Sequence, residues 1–397
     1  MAGLRSLEEA QRLVLERVEA LPAESVSVAD AAGRVLAEDA AALVDLPPFP
    51  SSAMDGYAVR AGDVPGRLPV VARIAAGRPA LRPLAAGEAM EISTGGVVPD
   101  GADSVVPVEY VVQLDNEVEI ADAVAAGANV RPRGGDVRAG DLVRPAGTRL
   151  SAAQLGALAA AGLAELRCAR RPRVALLATG TELRAPGEPL RPGEIYESNG
   201  LMLAVAAAAE GAEVERLPPA EDDAVAHRAA LERALEADVL VTSGGVSVGP
   251  QDLVRKIEAE LGVEEVFWGV AVKPGKPVAF GVRGRTLVFG LPGNPVSSLV
   301  GLELLVRPAL RALQGLADPL PRFEAGVLGA AMHRTRGRDE LARARSRLED
   351  GRVVLDPLTG QDSHMIVHAA AADALVFIPK GDGELPGGEA VRYLRLA

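Results

Sequence analysis

Three glycine-rich turns each follow an apolar run. They are Ala178-Thr179-Gly180-Thr181-Glu182, then Thr242-Ser243-Gly244-Gly245-Val246-Ser247-Val248-Gly249, then Gly290-Leu291-Pro292-Gly293-Asn294-Pro295-Val296-Ser297-Ser298. Glycines let backbone N–H groups approach an anion closely, and hydroxyl side chains add donors. In the third turn Asn294 suits a helix cap and Pro295 the first helical position. The helix start then offers free N–H groups and a positive dipole end to a phosphate or another oxyanion. One such turn is explained by tight closure alone. Three together favour an anion pocket.

Lys273-Pro274-Gly275-Lys276-Pro277 places two cations three residues apart in a loop stiffened by prolines. Exposed lysines usually contribute little. These follow an apolar strand, Val270–Val272, in an acidic protein, which favours an oxyanion clamp. The chain lacks the Walker pattern G-x-x-x-x-G-K-[ST], so it is not a P-loop nucleotidase. Asp252 opens the helix after the second glycine turn, and Glu182 and Asp223 also sit just past strands. Acids at helix starts need no further function. Beside bound phosphates, carboxylates can hold Mg²⁺ directly or through water. A separate stretch, Pro47-Pro48-Phe49-Pro50-Ser51-Ser52-Ala53-Met54-Asp55-Gly56, is a rigid approach to an Asp-Gly pair, which a hairpin turn would also explain. Ile92–Gly96 and Arg131–Asp136 repeat that theme. No Ser-His-Asp arrangement is legible.

These residues need elements to hold them. Residues 1–21 read as an amphipathic helix ending at Pro22, with Leu7, Val14, Val18 and Leu21 on one face. Residues 25–44 suggest a short strand and a small helical stretch. From 45 to 136, short Val-rich runs such as Val70–Ile74, Ser104–Glu109 and Glu117–Ile120 indicate a β-rich module. Residues 151–165 are helical behind Ser151 as N-cap. Between 172 and 313 strands alternate with helices: strands Val174–Ala178, Glu213–Leu217, Val239–Ser243 and Thr286–Gly290, and helices Asn199–Glu210, Asp222 or Asp223 to Glu236, one around Leu253–Leu261, and Pro295–Leu313. That alternation means βαβ units and a mostly parallel sheet, which binds ligands beyond the carboxyl ends of its strands. Runs at 323–331, 340–348, 352–355, 374–378 and 390–395 suggest a small β-barrel.

Composition narrows the function. Lys and Arg number 42 against 54 Asp and Glu, a net charge of −12 that argues against nucleic acid as partner. A local lysine pair can still overrule that field for a small anion. One cysteine, Cys168, and four histidines exclude a disulfide framework and make a Cys- or His-built metal site a poor expectation. Aromatics at 3% disfavour base-stacking platforms. The first 21 residues carry too many charges for a signal peptide, and the longest apolar run, Leu201 to Ala209, is too short to span a bilayer. A cytoplasmic location is expected.

With these motifs in order, the sequence resembles the MoeA-type molybdopterin molybdenumtransferases, related to the E domain of gephyrin-like proteins. The resemblance is carried by PPFPSSAMDGYAVR at 47–60, ISTGGVVPDGADSVVPVE at 92–109, NVRPRGGDVRAGDLVRPAGTRL at 129–150, LLATGTEL at 176–183, GEIYESNG at 193–200, VTSGGVSVGPQD at 241–252, VKPGKPVAFG at 272–281 and GLPGNPVSS at 290–298. It implies a multidomain α/β plus β fold. An N-terminal helix (1–21) would precede a split bridging domain (22–44 and 139–171) and a β-rich, lasso-like domain (45–138). A three-layer α/β molybdopterin-binding domain (172–318) and a C-terminal β-barrel (319–397) would follow. It also implies a homodimer whose cleft is shared between subunits.

The implied reaction inserts molybdenum from molybdate into adenylylated molybdopterin, assisted by Mg²⁺, and releases AMP. Pterin phosphate and adenylate would lie on Thr179, Gly180, Ser243, Gly244, Gly245, Ser247, Pro292, Asn294, Pro295 and Ser298. Molybdate would lie on Lys273, Lys276, Ser297 and Ser363, with Arg338 or Arg343 beside them, since the guanidinium fork matches tetrahedral oxyanions. Asp252, Glu182 and Asp223 would place Mg²⁺. Asp55, Thr94 and Asp136 would contribute catalytic contacts, the two aspartates from the partner subunit. A molybdopterin adenylyltransferase is an expected partner. Nucleic acid and membrane are not. Rival readings are an ATP-dependent adenylyltransferase, a non-catalytic scaffold and a tungstate-inserting homologue.

Overall fold

A computed structural model describes residues 4–220, 224–245 and 253–396. The chain divides into two units, Ser25–Cys168 and Met1–Glu24 with Ala169–Ala397.

In the first unit, a six-stranded sheet runs in the order Ser104–Pro107, Gly56–Val59, Ala89–Ile92, Gly66–Ile74, Glu117–Ile120, Val111–Leu114. Its Val-rich strands bury two small cores, one centred on Tyr57, Val59, Leu68 and Val118, the other on Ile74, Met90 and Ile92. Gly56 starts a strand paired on both sides, not a hairpin turn. A Cβ there would collide with the Val106 carbonyl, so glycine lets the two backbones meet. A third core draws Ala31, Leu36 and Ala40 together with Leu150, Leu158, Leu166 and Cys168. Two sequence-distant segments thus share one interior. The helix Ala152–Ala160 begins at Ser151, whose N–H donates to Gln154 Oε1 at 2.7 Å.

The second unit opens with α1 (Leu7–Leu15), capped by Ser6, whose Oγ accepts from Glu9 N at 3.1 Å. The helix is shorter than the pattern over 1–21 suggests. Beyond it the chain turns, and Leu21 N donates to Leu313 O at 2.8 Å, so tertiary pairing replaces helical bonds. Then come β1 (Arg173–Thr179), α2 (Asn199–Ala209), β2 (Glu213–Ala220), α3 (Ala224–Ala234), β3 (Val239–Ser243), α4 (Leu253–Glu260), β4 (Glu264–Trp268), β5 (Ala279–Arg283), β6 (Thr286–Leu291) and α5 (Pro295–Gly301). The sheet order is β2-β1-β3-β6-β5-β4. The first four strands are parallel, as expected from the alternation. The antiparallel pair β5 and β4, absent from the sequence reading, extends one edge. Buried Phe267 on β4, Phe280 on β5 and Phe289 on β6 pack in a row across the three strands.

The helix predicted over Pro295–Leu313 continues from α5 through a π-helical turn, Leu302–Val306, into α6 (Arg307–Leu313). The last region forms β7 (Glu324–Leu328), β8 (Asp339–Glu349), β9 (Arg352–Pro357), β10 (Ala374–Ile378) and β11 (Ala390–Arg395). Each strand pairs with two others, in the cycle β8-β9-β7-β11-β10-β8, so the five close a barrel without a free edge.

Candidate functional site

Registry brings the three glycine turns together. Ala178 faces Ser243 across β1 and β3, and Ser243 faces Leu291 across β3 and β6. The turns therefore leave three adjacent parallel strands at one end of the sheet, where open α/β sheets bind ligands. A cleft of about 760 Å³ opens there. Of the sequence-predicted residues, Thr179, Gly180, Glu182, Ser243, Gly244, Gly245, Pro292, Asn294 and Pro295 line it. Leu183, Ile195 and Tyr196 add an apolar wall suited to a flat ring.

The turns touch each other directly. Gly244 has φ +94°, and a Cβ there would stand 2.6 Å from Thr179 O. Gly244 N donates to Leu291 O at 3.0 Å. Glycine is thus required by conformation and by the neighbouring turn.

The third turn differs in one detail from its sequence reading. Asn294 occupies the cap position of α5, and Pro295 is the first helical residue, but the Asn294 side chain makes no capping bond. Its Nδ2 donates instead to Ser363 Oγ at 2.9 Å, and Val296 N donates to Ser363 O at 3.0 Å. The tertiary partner wins, and it ties the loop after β9 to the start of α5. Ser297 and Ser298 are buried behind, with Ser298 Oγ donating to Pro292 O.

The other cationic candidates come from the Val272–Pro277 segment and from β8 with the residue before it. The short strand Val272–Lys273 pairs in parallel with Asp339–Glu340 of β8. Lys273 Nζ lies 3.1 Å from Oε2 of Glu340, which is buried, so part of its charge is matched inside the protein. Lys276 is exposed, and Gly275 between them approaches the Ser297 carbonyl. The neighbouring Pro277 lines the cleft, whereas Lys273 and Lys276 are not among its lining residues. Arg338 is half-buried just ahead of β8. Arg343 is 1% exposed and donates to Gly360 O at 2.7 Å and Asp362 O at 3.1 Å. Burial pulls its pKa below the usual guanidinium value, against the pull of Asp362 and Glu340. Its fork thus holds the backbone beside Ser363.

Asp55, Thr94 and Asp136 lie in the other unit. Asp55 Oδ1 accepts from Thr94 N at 2.6 Å, joining the two turns. Asp136 N donates to Leu46 O at 2.9 Å and Gly134 N to Pro47 O at 2.9 Å, which lays the Arg131–Asp136 turn against the proline-rich entry. All three side chains are exposed. Ser247, Asp223 and Asp252 lie outside the described residues. Among the described residues, no three His, Cys, Asp or Glu form a metal-sized cluster.

Several lining residues escaped the sequence reading. Glu197, buried, accepts from Gly200 N at 2.6 Å and pairs with Arg216 at 3.0 Å. Asn199 Nδ2 donates to Ser243 Oγ at 2.9 Å and to Gly293 O at 2.7 Å. His227, buried on α3, and His364, from the loop after β9, also line it. The motif Glu197-Ser198-Asn199-Gly200 looks in sequence like an ordinary helix cap, so nothing in it singled out the buried contacts of Glu197 or Asn199.

Comparison with known proteins is consistent along the chain. Family models match residues 5–162 (MoeA N-terminal region, domain I and II), 175–312 ("Probable molybdopterin binding domain") and 325–396 (MoeA C-terminal region, domain IV). The chain is 40% identical to molybdopterin molybdenumtransferase 2 of Mycobacterium tuberculosis, covering 97% of this chain and 98% of that protein. It is 33% identical to the molybdopterin molybdenumtransferase of Haemophilus influenzae, covering 97% of each. Among solved structures, a molybdopterin biosynthesis MoeA protein from Pyrococcus horikoshii OT3 superposes with a TM-score of 0.86 at 29% identity, covering 99% of this chain and 100% of that one.

Proposed function

The chain belongs to the molybdopterin molybdenumtransferase family, and from that premise we propose that it inserts molybdenum from molybdate into the dithiolene of adenylylated molybdopterin, releasing AMP. The observation that carries this reading is the meeting of three glycine turns in one cleft large enough for a dinucleotide-sized anion. Thr179, Gly180, Ser243, Gly245 and Ser247 offer N–H and O–H donors to the phosphates, and Gly244, whose N–H is held by Leu291 O, lets the ligand approach the backbone closely. Pro292, Asn294, Pro295 and Ser298 shape the start of α5, whose positive end favours negative charge. The apolar wall takes the ring system.

Molybdate is the second substrate. Lys276 and Lys273 attract it, Ser297 and Ser363 donate to it, and Arg338 or Arg343 stands beside it. The pairing of Lys273 with Glu340 keeps that ammonium in place while lowering the local net charge. The contacts of Arg343 with two carbonyls favour Arg338 as the freer fork.

Glu182 presents a hard oxygen donor on the cleft wall, the ligand type Mg²⁺ prefers. With Asp223 and Asp252 it would hold that ion, which offsets charge on the pyrophosphate being cleaved. Asp55, Thr94 and Asp136 act from the second subunit of a homodimer, and the bond from Thr94 N holds the Asp55 carboxylate. The five-part domain division, action in the cytoplasm and delivery of substrate by an adenylyltransferase belong to the same reading. Among the described residues no helix is long and apolar enough to cross a membrane.

The test is incubation with adenylylated molybdopterin, Mg²⁺ and molybdate, reading AMP and metal-loaded cofactor. Asp55→Ala should stay folded and lose at least about a hundredfold in AMP release, the scale set by removing one well-placed catalytic contact. Wild-type protein that releases no AMP, or consumes ATP instead, would overturn the reading.

A further inference from the structure

Asn199 has no role in the proposed reaction, yet it sits where the second and third turns converge. It is 9% exposed at the first position of α2 and lines the cleft. Gly293 O can only accept, so the atom 2.7 Å from it must be the amide nitrogen. The same nitrogen reaches Ser243 Oγ at 2.9 Å. One buried amide therefore spans a strand end and a loop 50 residues apart in sequence, by Ser243 and Gly293 numbering.

The geometry points to Asn199 as a positioning residue that orients Ser243 and pins Gly293 for binding the anionic substrate. The inference rests on the proposed function and names how one part of its site is held. A hydroxyl that accepts from an amide keeps its single proton for another acceptor. Ser243 lines the cleft, so that acceptor is a phosphate oxygen of the ligand. The bond to Gly293 O holds the third turn's backbone against the second, where Gly293 already lies 3.8 Å from Gly244 by its Cβ direction. Pre-ordering both turns removes an entropic cost from binding.

Two substitutions separate orientation from packing. Asn199→Ala removes both donors and some volume. Asn199→Asp keeps size and shape, but its oxygen accepts from Ser243, turning that proton away from the ligand, and faces Gly293 O with like charge. Both variants should raise the KM for adenylylated molybdopterin at least tenfold, the aspartate more than the alanine. Turnover number should move less than threefold, and the molybdate half-saturation should stay within twofold of wild type. Hydrogen exchange should quicken in the peptide containing 291–294, which can be read without any substrate. Ser243→Ala combined with Asn199→Ala should be no worse than the larger single effect. An aspartate variant closer to wild type than the alanine variant would mean that volume alone matters and would overturn the inference. Unchanged exchange at 291–294 would also overturn it. Wild-type protein without turnover would count against the proposed function instead, and the exchange measurement would still decide the tether.

Discussion

Gly244→Ala is the sharpest test of how the cleft is assembled. At φ +94° an L side chain costs about 1–2 kcal/mol. The new Cβ would lie 2.6 Å from Thr179 O and 2.9 Å from Thr179 Oγ1, well inside the roughly 3.3 Å at which carbon and oxygen normally meet. The first obstacle is backbone, so a turn must shift by about 0.7 Å, from roughly 3.3 Å less the measured 2.6 Å. Such overpacking costs a further ~1–3 kcal/mol. The total, about 3 kcal/mol, corresponds to a fall of about 6–12 °C in melting temperature for a unit of this size. Gly293→Ala is the control. Its Cβ would meet only Gly244 Cα, at 3.8 Å, and it has no left-handed φ. The melting temperature of Gly293→Ala should therefore stay near wild type. Calorimetry of the three proteins checks this. Because a displacement near 1 Å can cost about a hundredfold in rate, Gly244→Ala should also lose about that factor in kcat/KM for AMP release. A Gly244→Ala protein melting with wild type, or a Gly293→Ala protein falling as far, would refute the reasoning.

Other outcomes follow from the same contacts. Burial alone would raise the Asp238 carboxyl, but Arg170, at 2.8 and 2.9 Å, and Arg173 N, at 2.7 Å, outweigh it and hold its pKa below the ordinary value. The stability from this group is present above the unfolded carboxyl pKa of about 3.9 and is lost as pH falls through the lower folded value. Asp238→Asn should cost about 2 kcal/mol at neutral pH and flatten the acid limb of stability below about pH 4, as denaturant titrations from pH 2 to 7 would read. An equally steep limb in the variant would exclude Asp238 as its source. Lys276→Ala should raise the molybdate half-saturation about tenfold, the loss of one charge-assisted contact. Its affinity for adenylylated molybdopterin should stay within about twofold, and an unchanged half-saturation would remove Lys276 from the clamp.

Much of this was legible before the fold. Val174–Ala178 and Val239–Val241 are short apolar runs that end in Thr179-Gly180 and Thr242-Ser243-Gly244, and their length and glycine boundary favour buried parallel strands. The barrel strands announced themselves by length and spacing. The edge strand Glu264–Trp268 did not, because Glu264 and Glu265 break the apolar pattern where one face meets water, and its neighbour Ala279–Arg283 is short and interrupted by Gly281. At the site, glycines and lysines stand out by type. Asn199, Glu197 and Glu340 do not, since an Asn or Glu near a helix or strand end usually needs no further role.

The chain alone determined which residue types could bind an anion and that alternating strands would deliver the glycine turns to one end of a parallel sheet. These follow from local rules: hydrophobic period, turn chemistry and the handedness of βαβ units. Tertiary structure decided who partners whom. Asn294 gives up its cap for Ser363, Lys273 shares its charge with Glu340, Arg343 turns its fork to two carbonyls, and Asn199 joins two turns. Each choice compares a local bond with one made across tens of residues, and only the folded backbone sets the distance that decides between them.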